Sequence, residues 1–279
     1  MRTEVRGADG VRIGVRVEGV HGEPASPAPV IVFVHGWAQS ADAWELQLSD
    51  PRLAEHFRLV AMDLRGHGRS DVPGADAYGD SRVWADDLAA VLELAGAPAV
   101  VVGWSYGGLV VTDYVRVHGT ANLAGIVYAG AITELGRDQP GGVVGPAMRN
   151  ALPDALSADD EVARPAVRRL CGGMTVGSGG EAFVDDILAV PAHVRAGLFR
   201  RTVSSAGVLG GIDVPTLVVH GERDAVVDIT AAEYVAGKIP GARTRWLPGV
   251  GHLPFAEEVR TFDEELAAFT RDAYRKVNR

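Results

Sequence analysis

Five short apolar runs constrain this chain more than any other feature: residues 30–34 (VIVFV), 59–62 (LVAM), 100–102 (VVV), 125–128 (GIVY) and 216–219 (TLVV). None alternates with polar residues at every second place, so each reads as a strand covered on both faces. A strand of that kind needs a layer on either side. The longer amphipathic stretches between the runs supply those layers, which predicts β-α units around a mainly parallel sheet. Residues 3–7 and 11–18 do alternate, and they are expected to pair as an antiparallel edge hairpin turned by Asp9-Gly10. Residues 243–247 add a last strand. The expected fold is α/β, with an eight-stranded, mostly parallel sheet flanked by helices.

Helix signals fall between these runs. Ser81 is placed to cap a helix carrying Val83, Trp84, Leu88, Val91, Leu92 and Ala95 at three- and four-residue spacing, with Gly96 as its stop. Phe262, Leu266 and Phe269 mark another helical stripe that reads as core packing. From 132 to 211 the alternation fails, and helix-like pieces such as 159–170 and 183–190 are punctuated by Pro and Gly. A structureless loop of that length is improbable in a compact chain. An inserted helical cap over 132–211 is expected, with the core domain formed by 1–131 and 212–279.

Composition removes several classes of function. The chain has 279 residues, is 47% hydrophobic and carries a net charge of −9, with no block of five or six like charges, so a nucleic-acid partner is not expected. Cys171 is the only cysteine, which excludes an internal disulfide and a multi-cysteine metal site. No apolar run reaches the length of a membrane span, and the N-terminus lacks an apolar leader core. The expectation is a cytoplasmic protein acting on a small molecule, without membrane contact. Gly66-His67-Gly68 lacks the full nucleotide-loop pattern and reads as a tight turn, and no Asp/His cluster has metal-ligand spacing, so neither a cofactor nor a metal is expected.

The chemistry gathers where strands end. Gly103-Trp104-Ser105-Tyr106-Gly107 follows one buried run and precedes a helix-like segment, the setting in which Gly-x-Ser-x-Gly presents a serine at a sharp turn. A serine hydroxyl needs a base, and the base needs an acid to orient it. Asp224 follows the 216–219 run, and His252 sits in Gly249-Val250-Gly251-His252-Leu253 after the last strand. Ser105, Asp224 and His252 are thus the expected nucleophile, orienting acid and base. Asp228 and Glu134 are the other candidates for the acid. The amides of Trp37, in His35-Gly36-Trp37, and Tyr106 are candidates for an oxyanion hole. Trp37 and Tyr106 are also expected to line a substrate pocket with Phe183, Phe199 and Leu253, Trp104 either to line it or to pack, and Ile187, Leu188 and Leu198 to add apolar cap surface. His35 and His67 are expected to organise loops, and His220 only to end a strand.

These residues together resemble the α/β-hydrolases from the first strands to the C-terminal helix: His35-Gly36-Trp37, Asp63-Leu64-Arg65-Gly66-His67-Gly68-Arg69-Ser70, the Ser105 elbow, Gly221-Glu222-Arg223-Asp224 and Gly251-His252. Within that superfamily the chain resembles esterases grouped with cofactor-free haloperoxidases, many of which carry proline where this chain has Ala38. Epoxide hydrolases and haloalkane dehalogenases share the fold but place aspartate at the elbow. The resemblance implies a serine hydrolase cleaving a small or medium carboxylic ester or lactone through an acyl-enzyme. Carbon–carbon bond hydrolysis, haloperoxidase or perhydrolase activity, and a ligand-binding receptor on the same fold are the alternatives.

Overall fold

The computed structural model describes residues 1–20, 28–96, 98–174 and 181–277. Its centre is one eight-stranded sheet: β1 (Arg2–Arg6), β2 (Arg12–Gly19), β3 (Val30–Val34), β4 (Arg58–Met62), β5 (Ala99–Trp104), β6 (Leu123–Ala129), β7 (Thr216–Gly221) and β8 (Arg243–Leu247). The spatial order is β1-β2-β4-β3-β5-β6-β7-β8, antiparallel for β1–β2 and β2–β4 and parallel for every other pair. Every residue of β3, β5, β6 and β7 is buried, as runs without polar alternation require. At the far edge β8 exposes Arg243, Thr244 and Arg245, charged and polar residues that blunt a free strand edge.

Two local expectations are corrected. The β1–β2 link is a three-residue 3-10 turn, Ala8–Gly10, instead of a two-residue turn, although Asp9 (φ 55°) and Gly10 (φ 73°) do adopt the left-handed backbone expected there. The helix Ser81–Ala95 is capped by Asp80, whose side chain accepts from the Arg82 amide, and Ser81 is its first helical residue. Both residue types cap well; the Ser81 hydroxyl is engaged by Arg201 Nη1 at 3.2 Å. Gly96, at φ 84°, ends the helix as expected.

Between β6 and β7 the described chain makes helices over Pro146–Ala155, Asp160–Met174, Glu181–Ala189, Ala192–Gly197 and Ala206–Gly210, and contributes only the isolated bridges Leu135–Val203 and Val144–Val227. Residues 175–180 of the predicted cap lie outside the described residues. The helical segment is tied to the core by Arg201, which donates to Asp113 Oδ2 (2.6 Å) and to the Tyr106 hydroxyl (3.1 Å). Gly66-His67-Gly68 is a tight turn, with φ 80° at Gly66 and 51° at Gly68 and the His67 amide donating to Leu64 O. Around it Asp63 accepts from the Ala41 and Arg69 amides, and Arg65 is buried in a two-bond pair with Asp87 at 2.7 and 2.9 Å.

Candidate active site

Ser105 stands between β5 and the helix Tyr106–His118, with φ 54° and ψ −120°. A non-glycine residue there costs about 1–3 kcal/mol and persists only where its surroundings enforce it. They do so here: the Ser105 amide donates to Ala129 O, and its carbonyl accepts from the Ile132 and Gly108 amides. Glycines make the turn possible. A Cβ on Gly103 would lie 2.8 Å from Gly107 O and Gly108 Cα, so strand and helix touch there. A Cβ on Gly107 would strike Val34 O on β3, at 2.3 Å, instead of the strand that carries the serine. A Cβ on Gly36 would meet Ser105 Cβ at 2.9 Å and Oγ at 3.4 Å, which sets the hydroxyl against the His35-Gly36-Trp37 loop.

His252 is held from all sides. Its amide donates to Met174 O (2.7 Å), its carbonyl accepts from Trp104 Nε1 (3.0 Å), and the Glu257 carboxylate accepts from the Gly251 and Leu253 amides. Trp104 thus packs beneath the histidine, with ring centroids 5.5 Å apart. His252 Nδ1 donates to Asp224 Oδ2 at 2.7 Å, and both side chains are almost wholly buried. Asp224 Oδ1 accepts from the Val226 and Val227 amides at 2.8 and 2.9 Å. With Nδ1 as donor to a carboxylate, Nε2 carries the lone pair; it is buried and has no hydrogen-bond partner. A buried ring nitrogen left without a partner is able to accept a proton.

The other acids are engaged elsewhere. Asp228 caps the helix Ile229–Lys238 through the Thr230 amide and hydroxyl, and Glu134 accepts from the Gly141 and Ser205 amides. His220 does more than end β7. Its Nε2 donates to Val227 O at 3.1 Å and lies 3.4 Å from Asp224 Oδ2, and burial lowers its pKa, keeping it neutral. Its spacing four residues before Asp224 was the available signal.

Tyr106 directly follows Ser105, and Trp37 is next to Gly36, where a Cβ would touch Ser105. Tyr106 is the first residue of its helix, so its N–H has no intrahelical acceptor. Trp37 follows Gly36, whose loop is braced by His35: Nδ1 donates to Gly36 O at 2.8 Å and Nε2 accepts from the Leu64 amide at 2.9 Å. Burial pushes His35 down to about 4 and His67 to about 3, so both rings are neutral loop braces. Ala38 has φ 53°, which a proline ring, locked near −65°, cannot adopt. The side chains of Trp37 and Tyr106 are 3% and 1% exposed; they donate to Arg195 O and Leu198 O, and Phe199 packs against both rings.

A cavity of about 380 Å³ opens beside the Trp37 and His252 loops. Of the residues expected to line a substrate pocket, Phe183 and Leu253 stand in its wall, whereas Trp37, Tyr106 and Phe199 do not. Ile187 and Leu198 are fully buried in the packing of the helical segment. Cys171 also lines the cavity, but burial pushes its thiol up to about 12, far from the range of a reactive thiolate. Among the described residues no three His, Cys, Asp or Glu side chains are grouped to hold a metal, and no helix is long and apolar enough to cross a membrane.

Known proteins resemble the chain over most of its length. The profile of the alpha/beta hydrolase family matches residues 31–267. A bifunctional esterase/perhydrolase from Acinetobacter calcoaceticus is 32% identical over 268 residues, covering 88% of this chain and 92% of the relative. A non-heme haloperoxidase from Rhodococcus erythropolis is 31% identical, with 86% and 91% covered. The crystal structure of an esterase from Rhodococcus sp. ECU1013 superposes with a TM-score of 0.90 at 40% identity, covering 97% of this chain and 98% of that one.

Proposed function

The chain belongs to the α/β-hydrolase family, as an enzyme of the esterase type, and from that premise we propose that it cleaves a small or medium carboxylic ester or lactone through an acyl-enzyme on Ser105. The observation that carries this reading is the 2.7 Å bond from His252 Nδ1 to Asp224, which leaves a buried, unpartnered Nε2. In the first half-reaction Ser105 Oγ attacks the ester carbonyl while its proton passes to Nε2. Asp224 stabilises the resulting imidazolium. The oxyanion is met by the Trp37 and Tyr106 amides, each worth about 3 kcal/mol in the transition state. The C–O bond then breaks, and the alcohol leaves with the proton from His252. Water repeats the sequence on the acyl-enzyme, releasing the acid and restoring the serine.

The segment 132–211 serves as the cap, roofing Trp37 and Tyr106 through Arg195, Leu198 and Phe199. Hydrogen peroxide in place of water would give a peracid from the same intermediate, a reaction suggested by the name of the 32% identical relative. The test is Ser105→Ala. It is expected to abolish p-nitrophenyl butyrate hydrolysis and labelling by a fluorophosphonate, and hydrolysis at the wild-type rate would sink the mechanism.

A further inference from the structure

The cavity beside His252 holds one polar group whose needs the protein leaves unmet. Gln39, two residues beyond Trp37, lines it, is only 5% exposed, and has a buried Nε2 with no hydrogen-bond partner. Buried amide donors nearly always find an acceptor, and one beside an open cavity can find it in a ligand. The side-chain amide can turn about its last torsion, which has no steep staggered preference, so the donor can be aimed into the space. Apolar residues, Leu46, Met174, Phe183, Leu253 and Phe255 among them, make up most of the remaining wall. The charged groups that line the cavity are carboxylates: Asp42, Glu45 and Asp186. Arg2 and Arg16 pair with Asp42 and Arg16 with Glu45, so Asp186 is the lining carboxylate without a described cation, and no described basic residue lines the cavity itself.

Building on the serine-esterase reading, we propose that this cavity receives the alcohol moiety of the ester, and that Gln39 selects an uncharged alcohol bearing a second acceptor oxygen by donating a hydrogen bond to it. The alcohol side is assigned because Leu253 directly follows His252, the group that hands its proton to the leaving alkoxide. An ether, hydroxyl or carbonyl oxygen satisfies the orphan donor. The apolar wall covers the carbon chain, and the Asp186 carboxylate repels an anionic end. Gln39 thereby acts on specificity and takes no part in bond breaking.

The experiment compares 2-methoxyethyl acetate with butyl acetate, which differ by one ether oxygen in place of a methylene, and adds 4-acetoxybutanoate as the anionic analogue. Wild type is expected to turn over the ether ester at least as well as butyl acetate, and the anion at least tenfold less well. Gln39→Leu is expected to lower kcat/KM about tenfold more for the ether ester than for butyl acetate. Gln39→Met, which keeps the chain length, is run beside it in case the branched residue does not fold. The inference is overturned if both variants keep the wild-type ratio, or if wild type prefers butyl acetate by tenfold or more. If wild type hydrolyses neither neutral ester, the serine-esterase reading falls first and this one with it, so the two failures are distinguishable.

Discussion

Asp224→Asn changes one atom, and the hydrogen bonds around it determine the consequence. Oδ1 accepts two backbone N–H groups, from Val226 and Val227 at 2.8 and 2.9 Å, so the oxygen of the asparagine amide must occupy that side. The opposite orientation would set an NH2 against two donors and leave them unsatisfied, at roughly 1–3 kcal/mol each. The NH2 therefore replaces Oδ2, where His252 Nδ1 lies 2.7 Å away. Nδ1 must then accept, its proton moves to Nε2, and the ring presents an N–H to Ser105 where it needs a lone pair. Loss of the correct tautomer is worth about 10⁴ in kcat, equivalent to about 5.5 kcal/mol. Because every hydrogen bond keeps a partner, the melting temperature is expected to stay within a few degrees of wild type. The assay is kcat on p-nitrophenyl butyrate together with the rate of fluorophosphonate labelling; the two should fall in parallel. Asp228→Asn, which alters only a helix cap, should stay within about threefold, well below the effect of a wrong tautomer. A kcat for Asp224→Asn within tenfold of wild type, or a larger loss for Asp228→Asn, would refute the assignment.

Stability offers two further tests. Asp263 is buried beside Asp50, its Oδ2 lacks a donor, and burial pushes its carboxyl up to about 7 from an ordinary 3.8. The folded state therefore holds the proton more tightly than the unfolded state, and the associated stability is present below about pH 4 and lost as pH rises to about 7. Asp263→Asn should remove that slope and raise stability at pH 8 by up to roughly 4 kcal/mol, read by denaturant melts at both ends of the window; parallel curves for the two proteins would count against it. Arg201→Met leaves the Asp113 carboxylate buried without its 2.6 Å partner and should cost about 3–5 kcal/mol. That corresponds to a fall in Tm on the order of 10 °C, largely restored by Asp113→Leu in the same chain; a Tm within 2 °C of wild type would show that the pair does not anchor the helical segment.

What the sequence disclosed and what it concealed divide along a physical line. Runs such as VIVFV name a strand covered on both faces because burial acts on each side chain independently of which element does the covering. The Ser105 elbow is equally legible, since glycine is required wherever a Cβ would strike backbone 2.8 Å away, as at Gly103. That Gly107 yields to β3, that Ser81 serves Arg201 in place of a cap, and that His220 leans on Asp224 all depend on partners met across the fold. No local pattern encodes those meetings.

The candidate site obeys the same division. Ser105, Asp224 and His252 each follow a different strand of one sheet, and in parallel β-α units those strand ends are brought to the same edge, so their convergence follows from topology alone. Phe183 and Leu253 share a cavity wall, whereas Phe199 is drawn off to pack on Trp37 and Tyr106. That partition is made by how the helices between β6 and β7 sit on the sheet, through contacts such as Trp37 to Arg195, 158 residues apart. A reaction carried by strand ends can thus be read from a sequence before its substrate can, because the substrate is selected by side chains that only the packed insertion brings together. Gln39 sits on the boundary between the two: its position two residues after Trp37 is local and readable, while its missing partner became visible only once Met174 and Phe183 were in place around it.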